Sequence, residues 1–192
     1  MDDFAFYFDL GWKHIVSSDA LDHQLFILAL AAIYLVHDWK KVLILVTAFT
    51  IGHSLTLVLS TYEMVKVSSS WVEFLIPLSI VITAALNLIK TERHFGQYRL
   101  QYALALLFGL VHGLGFANTI RFMLASSESV TMPLLSFNLG LEAGQIVLVG
   151  FILLMSYLVV NRLKLQRKWW VLSLSTAALG ASAIICVQRW PA

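Results

Sequence analysis

Residues 100–122 read LQYALALLFGLVHGLGFANTIRF, and their reading decides the fold class. No Asp, Glu, Lys or Arg interrupts the run before Arg121. A helix rising about 1.5 Å per residue over this stretch is long enough to cross a hydrocarbon core of about 30 Å. Yet the run carries an ionisable imidazole, His112, with Gly109, Gly113 and Gly115 around it. A membrane segment that keeps a histidine among residues without side-chain bulk has to be explained by what surrounds it.

The rest of the chain has the same character. Of its 192 residues 59% are apolar and only 12% charged, with a mean hydropathy of +0.82. Soluble domains carry about 25% charged residues, so the composition indicates an integral membrane protein in a lipid bilayer. Five more apolar runs, at about 20–36, 42–61, 71–89, 132–160 and 169–187, complete an all-α bundle of six transmembrane helices. The run at 132–160 is long enough to be tilted or to project beyond the hydrocarbon. Phe4, Phe6, Phe8 and Trp12 alternate with polar groups, which predicts an N-terminal helix lying at the interface. With no internal repeat or linker, residues 1–192 read as a single transmembrane domain. The lone cysteine, Cys186, excludes a disulfide framework and a thiolate metal site. The acidic start MDDFAFYFDLGWKH lacks the basic n-region of a cleavable signal peptide. Basic residues lie in short loops beside apolar runs, so no nucleic-acid partner is expected.

Those loops predict the orientation. Lys40, Lys41, Lys90, Arg93, Arg99, Arg162, Lys164, Arg167 and Lys168 fall on one side, leaving Lys13, Lys66, Arg121 and Arg189 on the other. The positive-inside rule then places the first group in the cytoplasm and both termini outside. The expected location is a bacterial-type inner (plasma) membrane, crossed several times.

With that orientation, polar groups converge in depth. At about 1.5 Å per residue, His53 and His112 lie about 16 and 18 Å up from the inner face, and Glu142 about 15 Å down from the outer one. Asp22, His23 and Glu73 stand at outer helix ends, and His14 precedes the first run on that side. Each has a purely structural reading as well. A membrane histidine can simply bond a neighbouring helix. Asp22 can cap first-turn amides, and Glu73 can answer a helix dipole. Glu142 is harder to explain away, because a carboxyl near the bilayer centre is costly unless paired. Asn138, Glu142 and Gln145, at i, i+4 and i+7, share one helix face. Thr47, Thr50, His53, Ser54 and Thr56 form a polar stripe on the second run. Gly140 and Gly144 permit close helix approach, and the glycines beside His112 either do the same or leave room for an ion. Pro77 deprives the Glu73 carbonyl of its helical donor. His37 and His94 lie in basic loops and read as solvated.

Imidazoles with carboxylate and amide oxygens, and no thiolate, suit a divalent nickel, cobalt, zinc, copper or iron ion. His14, Asp22, His23, His53, Glu73, His112, Asn138, Glu142 and Gln145 are the candidate ligands. Two active functions follow. One is a permease for such an ion, entering from the outer side, although the inner half offers only Asn87 and small residues as a continuing route. The alternative is an intramembrane metal-dependent hydrolase for a lipid-like substrate, with Glu142 as general base and Ser54 as a polarising donor. An accessory role without turnover and a homo-oligomeric state both stay open.

At these residues the chain resembles the HupE/UreJ family, membrane proteins associated with hydrogenase and urease metal supply. The matching stretches are GWKHIVSSDALDHQLFILAL (11–30), TAFTIGHSLTLVLS (47–60), VEFLIPLSIVITAALNL (72–88), FGLVHGLGFA (108–117) and FNLGLEAGQ (137–145). The resemblance implies a divalent-metal permease, most often described for nickel. It points to His14, Asp22, His23, His53, His112, Glu142 and Gln145. The interval from His14 to Asp22–His23 is longer here than in many members.

Overall fold

The computed structural model describes residues 3–65, 67–89, 97–124 and 130–191. Lys66, Lys90, Arg93 and His94, used above for orientation or read as solvated, lie outside the described residues. Those residues form helices α1 (Asp3–Val16), α2 (Leu21–Ala31), α3 (Trp39–Thr61), α4 (Ser69–Ile89), α5 (Gln97–Leu124), α6 (Thr131–Ser156) and α7 (Arg167–Gln188). A 3₁₀ turn, Val36–Asp38, leads into α3, and a π-helical stretch, Tyr157–Arg162, extends α6. No strand occurs among the described residues.

Helices α3 to α7 are long and apolar enough to cross a membrane, so among the described residues five rather than six helices have spanning length. Together α6 and its extension occupy 32 residues, in line with the long fifth run expected from the sequence. The difference lies at the start. The run expected at 20–36 contains an α-helix of only 11 residues, α2, or about 16 Å at 1.5 Å per residue. The helix before it, α1, runs parallel to the first half of α6, with Phe4 against Ser136, Phe8 against Gly140 and Ile15 against Gly144. Glycine explains this path: a Cβ on Gly11 or Gly140 would collide with the backbone of Phe137 or Phe8. Small residues let the two backbones touch.

A break over residues 17–20 separates α1 from α2. Ser17, Ser18 and Asp19 can bond their own backbone in place of a helix. Gln24 Nε2 donates to Ile15 O at 3.2 Å, near the end of α1, and to Ser17 O at 2.8 Å, which also accepts from Ala20 N at 3.1 Å. From there α2 continues beside α4. Its Ala29 carbonyl accepts from Asn87 at 2.7 Å, and Arg167, at the start of α7, donates to Ile33 O at 2.6 Å. Thus α1 and α2 together carry the chain from the end of the bundle near Ser136 to the end near Arg167.

Helices α3 and α5 run parallel in even closer register. A Cβ on Gly109 would strike Phe49 O, one on Gly52 would strike Leu106 O, and one on Gly113 would lie 2.5 Å from His53 O. Thr56 Oγ1, 2.8 Å from both Gly52 O and Leu110 O, bridges the pair. The interior is mainly apolar, with Phe26, Leu45, Phe49, Ile80 and Phe137 buried, and polar side chains are embedded in it. His53, His112, Gln145, Ser175 and Ser182 are buried, whereas large apolar side chains such as Ile51, Phe151, Ile184 and Val187 are exposed. An apolar exterior suits a surface solvated by lipid, where burying apolar side chains brings no gain.

Candidate metal centre

The break between α1 and α2 brings histidines together. His14 closes α1, His23 opens α2 and His53 occupies the middle of α3. One ring nitrogen of each lies within 4.8 Å of the other two. The ring centroids of His14 and His23 are 4.6 Å apart, and His112 on α5 adds a fourth ring 5.0 Å from His23. Gly113 sets the depth of this arrangement, since only a residue without a Cβ lets the His53 backbone come so close to α5. The glycines at 109 and 113 therefore serve packing, and the space they leave is filled by α3. Gly115 alone of the three borders open volume, a cavity of about 440 Å³.

The donor set is conspicuous for what it lacks. His14 Nε2, His23 Nε2, both nitrogens of His53 and His112 Nδ1 are buried without a hydrogen-bond partner. Leaving such a group unsatisfied costs about 1–3 kcal/mol, and native structures rarely tolerate several in one place. For His112 the proton positions follow by counting. Ser79 Oγ has one proton and gives it to Ile76 O at 2.6 Å. With the hydroxyl proton assigned to this shorter contact, Ser79 Oγ accepts from an Nε2–H of His112 at 3.2 Å. Nδ1, the unpartnered atom, is left with a bare lone pair. A hydrogen bond that fixes one imidazole nitrogen and frees the other is how proteins orient metal ligands.

Aromatic rings wall the group off. Phe116 and Phe137 stack at 4.9 Å, Phe116 lies 4.3 Å from His14, and Phe26 and Phe49 lie 5.3 and 5.1 Å from His112. Sequence reasoning passed over these phenylalanines, although the signal was present. Phe49 precedes His53 by one helical turn, and Phe116 follows His112 by one. Four buried nitrogen donors from four elements, with cavity space beside them, fit a borderline divalent ion.

The carboxylates fall in two places. Asp22 and Glu73 line the cavity with His14, His23 and His112, together with Asp19 and Arg189, which the sequence reading had not singled out. Asp22 Oδ2 pairs with Arg189 Nη1 at 2.8 Å, and its Oδ1 is buried without a partner. The α6 residues are engaged elsewhere. Glu142 accepts from Thr47 at 2.7 Å and Gln145 from Thr50 at 2.8 Å. Asn138 donates to Leu134 O at 2.8 Å, leaving its own Oδ1 unpartnered. Ser54 donates to Thr50 O at 2.7 Å. Pro77 is buried within an unbroken α4. His37, in the 3₁₀ turn, is largely exposed beside Asp38, as its loop position suggested.

No curated protein and no solved structure matches the chain. A family model described as HupE / UreJ protein does match, over residues 1–189. That range takes in both helices of the broken N-terminal passage and every histidine of the cluster, so the chain belongs to the HupE/UreJ family of membrane proteins.

Proposed function

We propose that this protein is a permease for a divalent transition-metal ion of the nickel type, with the imidazoles as its intramembrane binding site. The observation that carries the reading is the set of buried, unpartnered nitrogens on His14, His23, His53 and His112, gathered where α1 breaks into α2. Discontinuous helices meeting near the midplane are a recurrent way to build a transport site. In this reading α1 and α2 together make a sixth crossing. The chain then has six passages, both termini outside and its basic loops in the cytoplasm. Asp19, Asp22 and Glu73 attract the ion into the cavity. It exchanges water for imidazole, and the phenylalanine walls keep bulk water out. The inner half is less bare than the sequence suggested. Buried Ser79 sits under His112, and Asn87 joins Ala29 O to Ser175 Oγ, the latter at 3.3 Å. These oxygens between α2, α4 and α7 offer the ion a route inward.

The experiment is reconstitution into liposomes containing a metal-sensitive dye, with bound metal measured on the same preparation. Nickel or cobalt should enter with the wild type and not with His53→Ala. Stoichiometric binding without flux would overturn transport, and metal-dependent hydrolysis would become the function to assay.

A further inference from the structure

Arg189 follows the last residue of α7, and its backbone N–H still bonds Ile185 O at 3.0 Å. The helix end is pinned by the next residue, Trp190, whose ring meets Phe74 at 5.1 Å. From there the guanidinium turns into the same cavity that His14, His23 and His112 border. A fixed positive charge at the mouth of a cation site opposes the site's purpose, unless it can be moved. Its partner shows how. Asp22 stands in the first turn of α2, where the helix dipole already favours an acid. One of its oxygens is held by Arg189 at 2.8 Å, and the other is buried with no partner. The Arg189 side chain is 36% exposed and that of Asp22 20%, so water shares in the pair. Exposed ion pairs of this kind are weak. A divalent ion can therefore take the carboxylate from the guanidinium, which a monovalent ion does with half the charge.

We propose that Arg189 is a resident counter-cation of the entry cavity, holding Asp22 until an arriving divalent ion displaces it. This rests on the reading of the histidine cluster as a divalent-cation site. The pair keeps Asp22 neutralised while no ion is present and makes every binding event a competition. When the competent form is a minority, apparent affinity falls by its fraction. Removing the guanidinium should therefore tighten binding. A mere staple between α2 and α7 predicts the opposite sign.

The test is a titration of the purified full chain with cobalt(II), followed by its visible absorption, on wild type, Arg189→Gln, Arg189→Lys, Asp22→Asn and the Asp22→Asn/Arg189→Gln double variant. Arg189→Gln should bind roughly two- to sixfold tighter, the inverse of the fraction of molecules in which so weak a pair is open. Arg189→Lys should stay near wild type. In the Asp22→Asn background the Gln substitution should tighten binding less than it does in wild type, because only the through-space repulsion is then relieved. If thermal unfolding shows Arg189→Gln misfolded, Arg189→Met removes the same charge while keeping an apolar stem. Equal or weaker binding by the folded charge-removal variant, with the wild type binding normally, overturns the proposal. A wild type that binds no cobalt overturns the site itself.

Discussion

His53→Leu should make the cation-free protein more stable and the cation-loaded protein less stable than wild type. His53 is fully buried, with neither ring nitrogen bonded. Its surroundings are Phe49 and Phe137 at about 6 Å and two other imidazoles. Leucine has similar bulk and no polar atoms, so the substitution removes two unsatisfied groups worth about 1–3 kcal/mol each. Imperfect fit of the branched side chain returns about 1–3 kcal/mol. A net gain of about 1–2 kcal/mol is expected in chelator, a rise of a few degrees in Tm for a chain of this size. Wild type gains about 2.7 kcal/mol from an ion present at about a hundred times its Kd, and a variant lacking the ligand gains none. The order of stabilities should therefore reverse when nickel replaces chelator. Thermal unfolding in detergent, followed by circular dichroism, measures both conditions. If His53→Leu is the less stable protein in chelator, or shows the full nickel-induced shift, His53 is a packing residue and the argument from unpartnered nitrogens fails.

Ser79→Ala removes the acceptor that keeps the proton on His112 Nε2, and should weaken cation affinity by about tenfold to a hundredfold. Affinity unchanged in a folded variant would show that Ser79 does not set the tautomer. Glu142→Gln should keep its bound ion, because the carboxylate is engaged by Thr47 rather than by the imidazoles; metal analysis decides, and loss of the ion would place Glu142 in the coordination shell. For orientation, Tyr62→Cys and Lys164→Cys in a Cys186→Ala background should label from outside intact cells at position 62 only. Labelling at 164 would invert the topology.

Much of the site was legible residue by residue. An imidazole in an apolar run is visible because the run's hydropathy forces every polar residue in it to be explained. Hence His23, His53 and His112 stood out without any structure, whereas His14 read equally as an anchor or an entry ligand. The glycines were legible only as a pair of alternatives. Room for an ion and room for a helix look identical until Phe49 and His53 are seen against Gly109 and Gly113. Glu142, Asn138 and Gln145 share a face as their spacing required, but spacing within one helix does not tell which neighbour receives that face. The hydroxyls of Thr47 and Thr50 on α3 take up two of the three.

Composition alone determined that this is a helical membrane protein, because hydropathy adds up along a segment and needs no partner. Hydropathy along the chain also marked the runs that form five helices of spanning length and made the buried histidines stand out as candidate ligands. The tertiary structure decided the rest. Residues 17–20 contain neither glycine nor proline, and Ser17, Ser18 and Asp19 permit a break there without fixing one. It exists because α1 is held along α6 by glycine contacts while α2 is held along α4 and α7. That division places His14 beside His23 despite the longer interval between them. It also gives Asp22 an arginine 167 residues away. Contacts of that separation depend on how helices pack, and no window along the chain contains them.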